Sequence, residues 1–272
     1  MVKSGLNTSI YNQIKTEISE AYRFRYVTLA FVSTNLKLRY RRSSLGFIWT
    51  VLAPMLHYIL IGCVFTLLMS QRRPDYFVYY FSGALFFAII AGVLNKAPTI
   101  FIANEHFIKK IYVPKLTFVM NVVSIEVVNF FLSGTSLIVL GLIIGKFTPS
   151  FYVFLSFVPV ILAAMALLGL TCIISVASVY FRDFIHIIPV VVQAAFFATP
   201  IVYDETMIPQ SYHWLIYYNP VYYFLKMFRM PLLEQAAAPI NYYIFGFSFS
   251  AVCLIVGLLT VKKFDNRIVF KL

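Results

Sequence analysis

Charge is what this sequence has least of. Asp, Glu, Lys and Arg make up 12% of its 272 residues, against roughly 25% in soluble domains. With 61% hydrophobic residues and a mean hydropathy of +0.85, a soluble fold of this size could not cover its apolar surface. Lipid must take the place of water around its outer faces. Acidic residues are scarcer than basic ones, 10 against 22, for a net charge of +12. The basic residues sit before and between apolar runs, which is the pattern of membrane orientation and not of a nucleic-acid partner. The three cysteines, Cys63, Cys172 and Cys253, lie scattered inside apolar runs. That spacing suits neither a metal site nor a disulfide framework and leaves them as small buried hydrophobes. No GxxxxGK[ST] loop is present: Gly145-Lys146 lacks the hydroxyl residue that should follow. HExxH, GxSxG and Cys/His clusters are missing as well. The chain is therefore not expected to be an enzyme or to hold a metal or cofactor. Energy for transport must come from a partner or an ion gradient. The first long apolar run opens near Leu45, too late for a cleaved leader.

What is present is a succession of apolar stretches. A bilayer crossing needs roughly 20 residues, and six stretches reach that length: Leu45–Ser70, Tyr76–Leu94, Leu116–Gly145, Phe151–Tyr180, Phe184–Tyr203 and Tyr242–Val261. The reading is an all-α polytopic membrane protein, with residues 1–272 forming a single transmembrane permease domain. Most basic residues precede the first stretch (Lys3, Lys15, Arg23, Arg25, Lys37, Arg39, Arg41, Arg42), lie between the second and third (Lys96, Lys109, Lys110, Lys115), or follow the fourth and sixth. Arg72, Arg73, Lys146, Lys226 and Arg229 fall on the other side. The positive-inside rule then places both termini in the cytoplasm.

Three segments outside these stretches carry further signals. Residues 22–42 read as one basic amphipathic helix, with Phe24, Val27, Phe31 and Leu38 on one face and Arg23, Lys37 and Arg41 opposite. A helix of that kind lies on the cytoplasmic leaflet. Residues 98–114, bracketed by Pro98 and Pro114, place Ile100, Phe107, Ile108 and Ile111 on one helical face. Glu105, His106, Lys109 and Lys110 take the other, and Asn104 is suited to cap the helix that follows. This is either a docking knob for a soluble partner or a solvated turn. Residues 204–239 hold prolines at 209, 220, 231 and 239. The two apolar arms between them, Gln210–Tyr218 and Val221–Met230, reach only about 15 Å each as helices. The pattern predicts a re-entrant hairpin before the last span, or two helices flat on the interface. Its aromatic cluster, Tyr212, Trp214, Tyr217, Tyr218, Tyr222 and Tyr223, suits a conduit for a hydroxyl-rich chain as well as an interfacial belt.

Two polar residues fall inside spans. Glu126 must face the bundle or a partner subunit, as a proton relay or as a hydrogen-bonding group. His57, in span one, is either a buried histidine with satisfied hydrogen bonds or a proton carrier.

At RYRRSSLGFIWTVLAP (Arg39–Pro54) the sequence resembles the ABC type-two permeases that export lipid-linked polysaccharides. NEHFIKKIYVP (Asn104–Pro114) is similar to that family's cytoplasmic loop, and YFRD (Tyr180–Asp183) to its loop between spans four and five. TPIVY (Thr199–Tyr203) followed by NPVYYFLKMFRMPL (Asn219–Leu232) resembles its extracytoplasmic re-entrant gate. The resemblance implies that two copies form a channel in a bacterial inner membrane, above two nucleotide-binding ATPase subunits that bind ATP and Mg. It implies an O-antigen, capsular or teichoic-acid type glycan on a lipid anchor as cargo. Asn104, Glu105, Lys109 and Lys110 would meet the ATPase. Arg39, Arg41, Arg42 and Trp49 would lie among lipid headgroups, and the hairpin aromatics would line or gate the exit. Lys115-Leu116 departs from the basic-acidic pair the family often shows after this proline. Two alternatives stand beside this reading: a permease of the same architecture moving a lipid or drug, and an ion-coupled carrier.

Overall fold

The computed structural model describes residues 10–39, 45–69, 75–145 and 150–272. Among them every regular element is helical. The longer helices are α1 (Ile10–Arg23), α2 (Arg25–Arg39), α3 (Trp49–Met69) and α4 (Tyr76–Lys96). Two short helices, α5 (Ile100–Ala103) and α6 (Glu105–Lys110), lead to α7 (Lys115–Ile143), α8 (Phe157–Tyr180) and α9 (Phe184–Ala198). After α9 come the single turn α10 (Trp214–Tyr217), α11 (Pro220–Arg229) and α12 (Ile240–Lys271).

Four helical rods are long and apolar enough to cross a membrane: Tyr76–Ala103, Lys115–Ile143, Phe151–Tyr180 and Ile240–Asp265. The first and fifth predicted stretches appear as shorter apolar helices, Val51–Leu67 and Phe184–Ala198. The 15 residues of α9 rise only about 22 Å. Thr199 then turns extended ahead of Pro200, because proline disfavours a helical residue before it. The predicted stretch to Tyr203 is thus cut short.

The second stretch is longer than predicted. A 3₁₀ turn at Ala97–Thr99 carries α4 on into α5, so Pro98 sits inside the rod and does not end it. The predicted helix over 22–42 is also redrawn. It begins twelve residues earlier, at Ile10, and breaks at Phe24 into α1 and α2.

α4 is the central helix. Its sequence is apolar on all sides, and fourteen of its residues are buried, as expected of a helix surrounded by others. α8 and α12 pack most extensively, at a crossing of small residues. A Cβ on Gly169 would lie 2.0 Å from the Cys253 carbonyl oxygen, and one on Gly257 would meet the Gly169 carbonyl at 2.4 Å. The Ser250 hydroxyl donates to the Leu162 carbonyl at 2.7 Å along the same seam. In lipid, where burial of apolar surface no longer drives helices together, such backbone approach is the main attraction.

Candidate functional site

The terminal helices and the connection around α6 meet at one end of the bundle. Glu17 of α1 is buried and pairs with Lys262 of α12 at 3.0 Å. The Tyr112 hydroxyl donates to Glu20 at 2.9 Å, and that hydrogen bond to a carboxylate is the main reason its phenol is raised to about 12. Lys115 pairs with Asp265, and Phe31 of α2 packs against Phe107 and Phe118. α6 rests on this platform by burying Ile108, while Phe107, Ile111 and Tyr112 stay exposed.

Here lie the residues predicted to meet a partner. Lys109 donates to Glu105 one turn earlier at 2.6 Å, and that hydrogen bond holds the Glu105 carboxyl below its ordinary range. Arg182, in the connection from α8 to α9, adds a smaller effect of the same sign. Lys110 is exposed. Asn104 does not act as predicted. Its side chain makes no bond to the start of α6 and donates back to the Ile100 carbonyl at 2.8 Å. With ψ near 17°, Asn104 is not in the extended conformation that N-capping requires, and its amide tethers the end of α5. Of the predicted headgroup residues, Arg41 and Arg42 lie outside the described residues, and Arg39 closes α2. Trp49 opens α3, half-buried.

The opposite end is built around α11. Asn219 caps it, its side-chain oxygen accepting from the Val221 amide at 3.0 Å, with Pro220 in the first turn. The predicted first arm is not one helix: it is a 3₁₀ turn at Gln210–Tyr212 followed by the single turn α10. Arg229 is buried and grips three backbone carbonyls, those of Pro200, Ile201 and Tyr79. Its guanidinium stacks 3.7 Å above the Tyr79 ring. Gly83 makes room, since a Cβ there would fall 2.0 Å from the guanidinium. One turn earlier Lys226 pairs with Glu205 at 2.6 Å, and the same carboxylate accepts from Tyr222 at 2.6 Å. α11 thus holds the segment leaving α9 at Pro200, Ile201 and Glu205.

The predicted aromatic cluster divides. Tyr222 is buried, whereas Tyr212, Trp214, Tyr217 and Tyr218 are exposed. Tyr223 donates to the Tyr217 carbonyl at 2.9 Å, tying α11 to α10. Tyr217 and Tyr222 line a cavity of about 430 Å³ with His213, Lys226 and Tyr242.

Glu126 faces inward, as predicted, and is buried. Its partners are Lys96 of α4 and Asn129 one turn on, at 3.0 Å for the latter. Gly92 leaves space for the carboxylate, because a Cβ would come 2.6 Å from it. Lys96, read from sequence as a loop charge, is therefore the counter-ion of Glu126 inside the rod. His57, Trp49 and Glu126 come together around one cavity of about 410 Å³. Reading the sequence missed Lys96, Lys226, Arg229 and Glu205. The signal was there for Arg229 and Lys226: two cations spaced 226 and 229 within an apolar segment need buried partners.

With this geometry in place, comparison with known proteins is informative. The family model described as "ABC-2 type transporter" matches residues 26–233. An O-antigen export system permease protein RfbA of Klebsiella pneumoniae is 30% identical over 93% of this chain and 97% of its own length. Another RfbA, of Myxococcus xanthus, is 32% identical over 70% of this chain and 73% of its own. The polysialic acid transport protein KpsM of Escherichia coli is 21% identical over 82% of this chain and 87% of its own. Membrane-length helices, an ion pair between two of them and a match across most of the sequence agree: this multi-pass membrane protein belongs to the ABC-2 type transporter family.

Proposed function

We propose that this chain is the channel-forming subunit of an ATP-driven exporter that carries lipid-linked polysaccharide, of O-antigen type, across a bacterial inner membrane. The observation that carries the reading is the likeness to O-antigen export permeases from one end of the chain to the other, 30% identity over 93% of its length. In this reading the short apolar helices α3 and α9 are spans as well, giving six crossings with both termini cytoplasmic. Two copies pair to enclose the conduit. Two ATPase subunits bind ATP and Mg beneath it and press on α6.

The geometry supports the coupling role. α6 presents a charged pair beside the exposed Phe107 and Ile111. It rests on the platform that joins α1, α7 and α12 through Tyr112 and Lys115. A push on α6 would reach all three. At the other end, the segment from Asp204 to Pro239 forms the re-entrant hairpin, with α11 as its inner arm. In this reading Trp49 lies at the level of the headgroups, and Arg39, Arg41 and Arg42 supply the cations there, since guanidinium forks favour phosphate.

The test is ATP hydrolysis by the chain in nanodiscs, alone and with its nucleotide-binding partner, with and without lipid-linked glycan. Hydrolysis only with the partner, and altered by glycan, is the expected result. Hydrolysis by the chain alone would overturn it. None with the partner would move the reading to an ion-coupled carrier.

A further inference from the structure

α12 runs on past the point where a span would end. Its apolar stretch closes at Asp265, but the helix continues to Lys271. At 32 residues it is about 48 Å long, against ~40–45 Å for a bilayer with its headgroups. The continuation has two faces. On one, Val261 and Ile268 are buried, with Asp265 between them paired to Lys115. Ile268 joins Ala21 of α1 and Ile108 of α6 in a single buried cluster. On the other face, Lys263, Arg267, Phe270 and Lys271 follow at helical spacing, and all four are exposed. The last turns of α12 pack against α6. This second face therefore stands beside the exposed Phe107, Lys110 and Ile111.

The charge of this end is not balanced from within. Every carboxylate side chain on α1, α6 and α12 is already engaged: Glu17 by Lys262, Glu20 by Tyr112, Glu105 by Lys109 and Asp265 by Lys115. Lys110, Arg267 and Lys271 have no acidic partner among the described residues. A one-signed face of this kind fits a surface of opposite charge.

Phe270 decides between a membrane and a protein. Five residues separate it from Asp265, about 8 Å along the helix axis. That is past the hydrocarbon core and at the edge of a headgroup layer roughly 5–8 Å deep. No acyl chain reaches a ring there, and yet the ring is almost wholly exposed. An aromatic side chain with arginine close by is the usual make-up of an interface anchor.

We infer that this face of α12, with Phe270 as anchor and Arg267 and Lys271 at its rim, is a second docking surface for the nucleotide-binding subunit, meeting an acidic patch on it. The inference rests on the export reading above and adds α12 to α6 as a point of contact. The partner then bears on the last span directly, as well as through α6.

The test measures binding of the purified nucleotide-binding subunit to the full chain in nanodiscs, made once of phosphatidylcholine alone and once with added phosphatidylglycerol. Phe270→Ala is expected to weaken binding about tenfold in both membranes, as for the loss of one aromatic anchor. Phe270→Trp, which keeps a ring, should bind as the parent does. Arg267→Glu combined with Lys271→Glu is expected to weaken binding several-fold and to flatten its salt dependence. Should Phe270→Ala lower the melting temperature of the chain, the charge-reversal pair, whose side chains are exposed, decides by the same criteria.

Unchanged binding by these variants, with reversal of Lys109 and Lys110 still weakening it, would overturn the α12 surface and leave the export reading standing. A loss confined to nanodiscs with phosphatidylglycerol would assign the face to anionic lipid and overturn the proposal. No binding by the unaltered chain would overturn both.

Discussion

Arg229 ties three segments of the chain together at a single point. Its guanidinium satisfies carbonyls of α4 and of the segment after α9 from a position on α11. Gly83 is the space that lets it do so. Arg229→Met would leave those carbonyls facing an apolar side chain, each buried unpaired carbonyl costing about 1–3 kcal/mol. The expected outcome is a loss of about 2–4 kcal/mol, read as a lower denaturation midpoint in detergent and faster proteolysis at residues 199–212. Arg229→Lys should recover only part of it, since an ammonium lacks the planar fork that reaches several carbonyls at once. Gly83→Leu should reproduce the Arg229→Met effect without touching the charge. At this scale the sequence was only half legible. That Glu126 had to face inward follows from its place in an apolar run. That Lys96 answers it depends on α4 continuing through Pro98, and a proline between apolar residues reads as a stop. Asn104 misled for a related reason: its type suits a cap, but its backbone was set by the bend between α5 and α6.

Among elements, the informative contrast is between α6 and the α8–α12 pair. α6 has six residues, too few to be stable alone, and is held by Ile108 and by its neighbours, its exposed Glu105–Lys109 pair adding little. Its exposed charges are free to be changed without loss of packing. Reversing Lys109 and Lys110 to Glu is expected to reduce co-purification of the ATPase subunit while leaving the thermal stability of the chain within about 0.5 kcal/mol. Unchanged co-purification would refute the docking role. The α8–α12 seam should behave in the opposite way. Gly169→Leu drives a side chain into the Cys253 backbone, and overpacking of this kind costs about 1–3 kcal/mol or forces the helices apart. The expected result is lower stability of the chain in detergent, with ATPase binding reduced only as folded protein is lost. Glycine content gave no warning of this crossing. Gly169 and Gly257 lie 88 residues apart, and only the fold brings them into register. The four span-length helices, by contrast, were legible, because a helix must satisfy its backbone within itself in lipid and so needs a long apolar run. Helix ends were less so: the 3₁₀ turn after Lys96 and the extended Thr199 shift the boundaries by several residues.

For the whole molecule, the decisive quantity is the number of crossings. Four rods have span length and two are shorter. Six crossings, as proposed, would put the two ends of the bundle in different compartments, with α1, α6 and the end of α12 inside and α10 outside. If α9 did not cross, Tyr218 would share the compartment of α6. The cysteines make this measurable, since Cys172 and Cys253 are buried and shielded from an aqueous maleimide. Only Cys63 is exposed and needs replacement by Ala. In that background Tyr218→Cys and Phe270→Cys place single thiols at positions 85% and 90% exposed. In spheroplasts an impermeant maleimide is expected to label Tyr218→Cys directly and Phe270→Cys only after the membrane is opened. Labelling of both, or of neither, before opening would put Tyr218 and Phe270 on the same side of the membrane, an even number of crossings between them where α12 alone makes one, and labelling of neither would also place α10 inside. The basic residues already favour the expected result, since Lys15, Arg23, Lys109 and Lys263 all lie at the end where the termini meet. Lys226 and Arg229 do not oppose it. Both are engaged by the chain itself, Lys226 by Glu205 and Arg229 by backbone carbonyls, so neither counts as a loop charge in setting orientation.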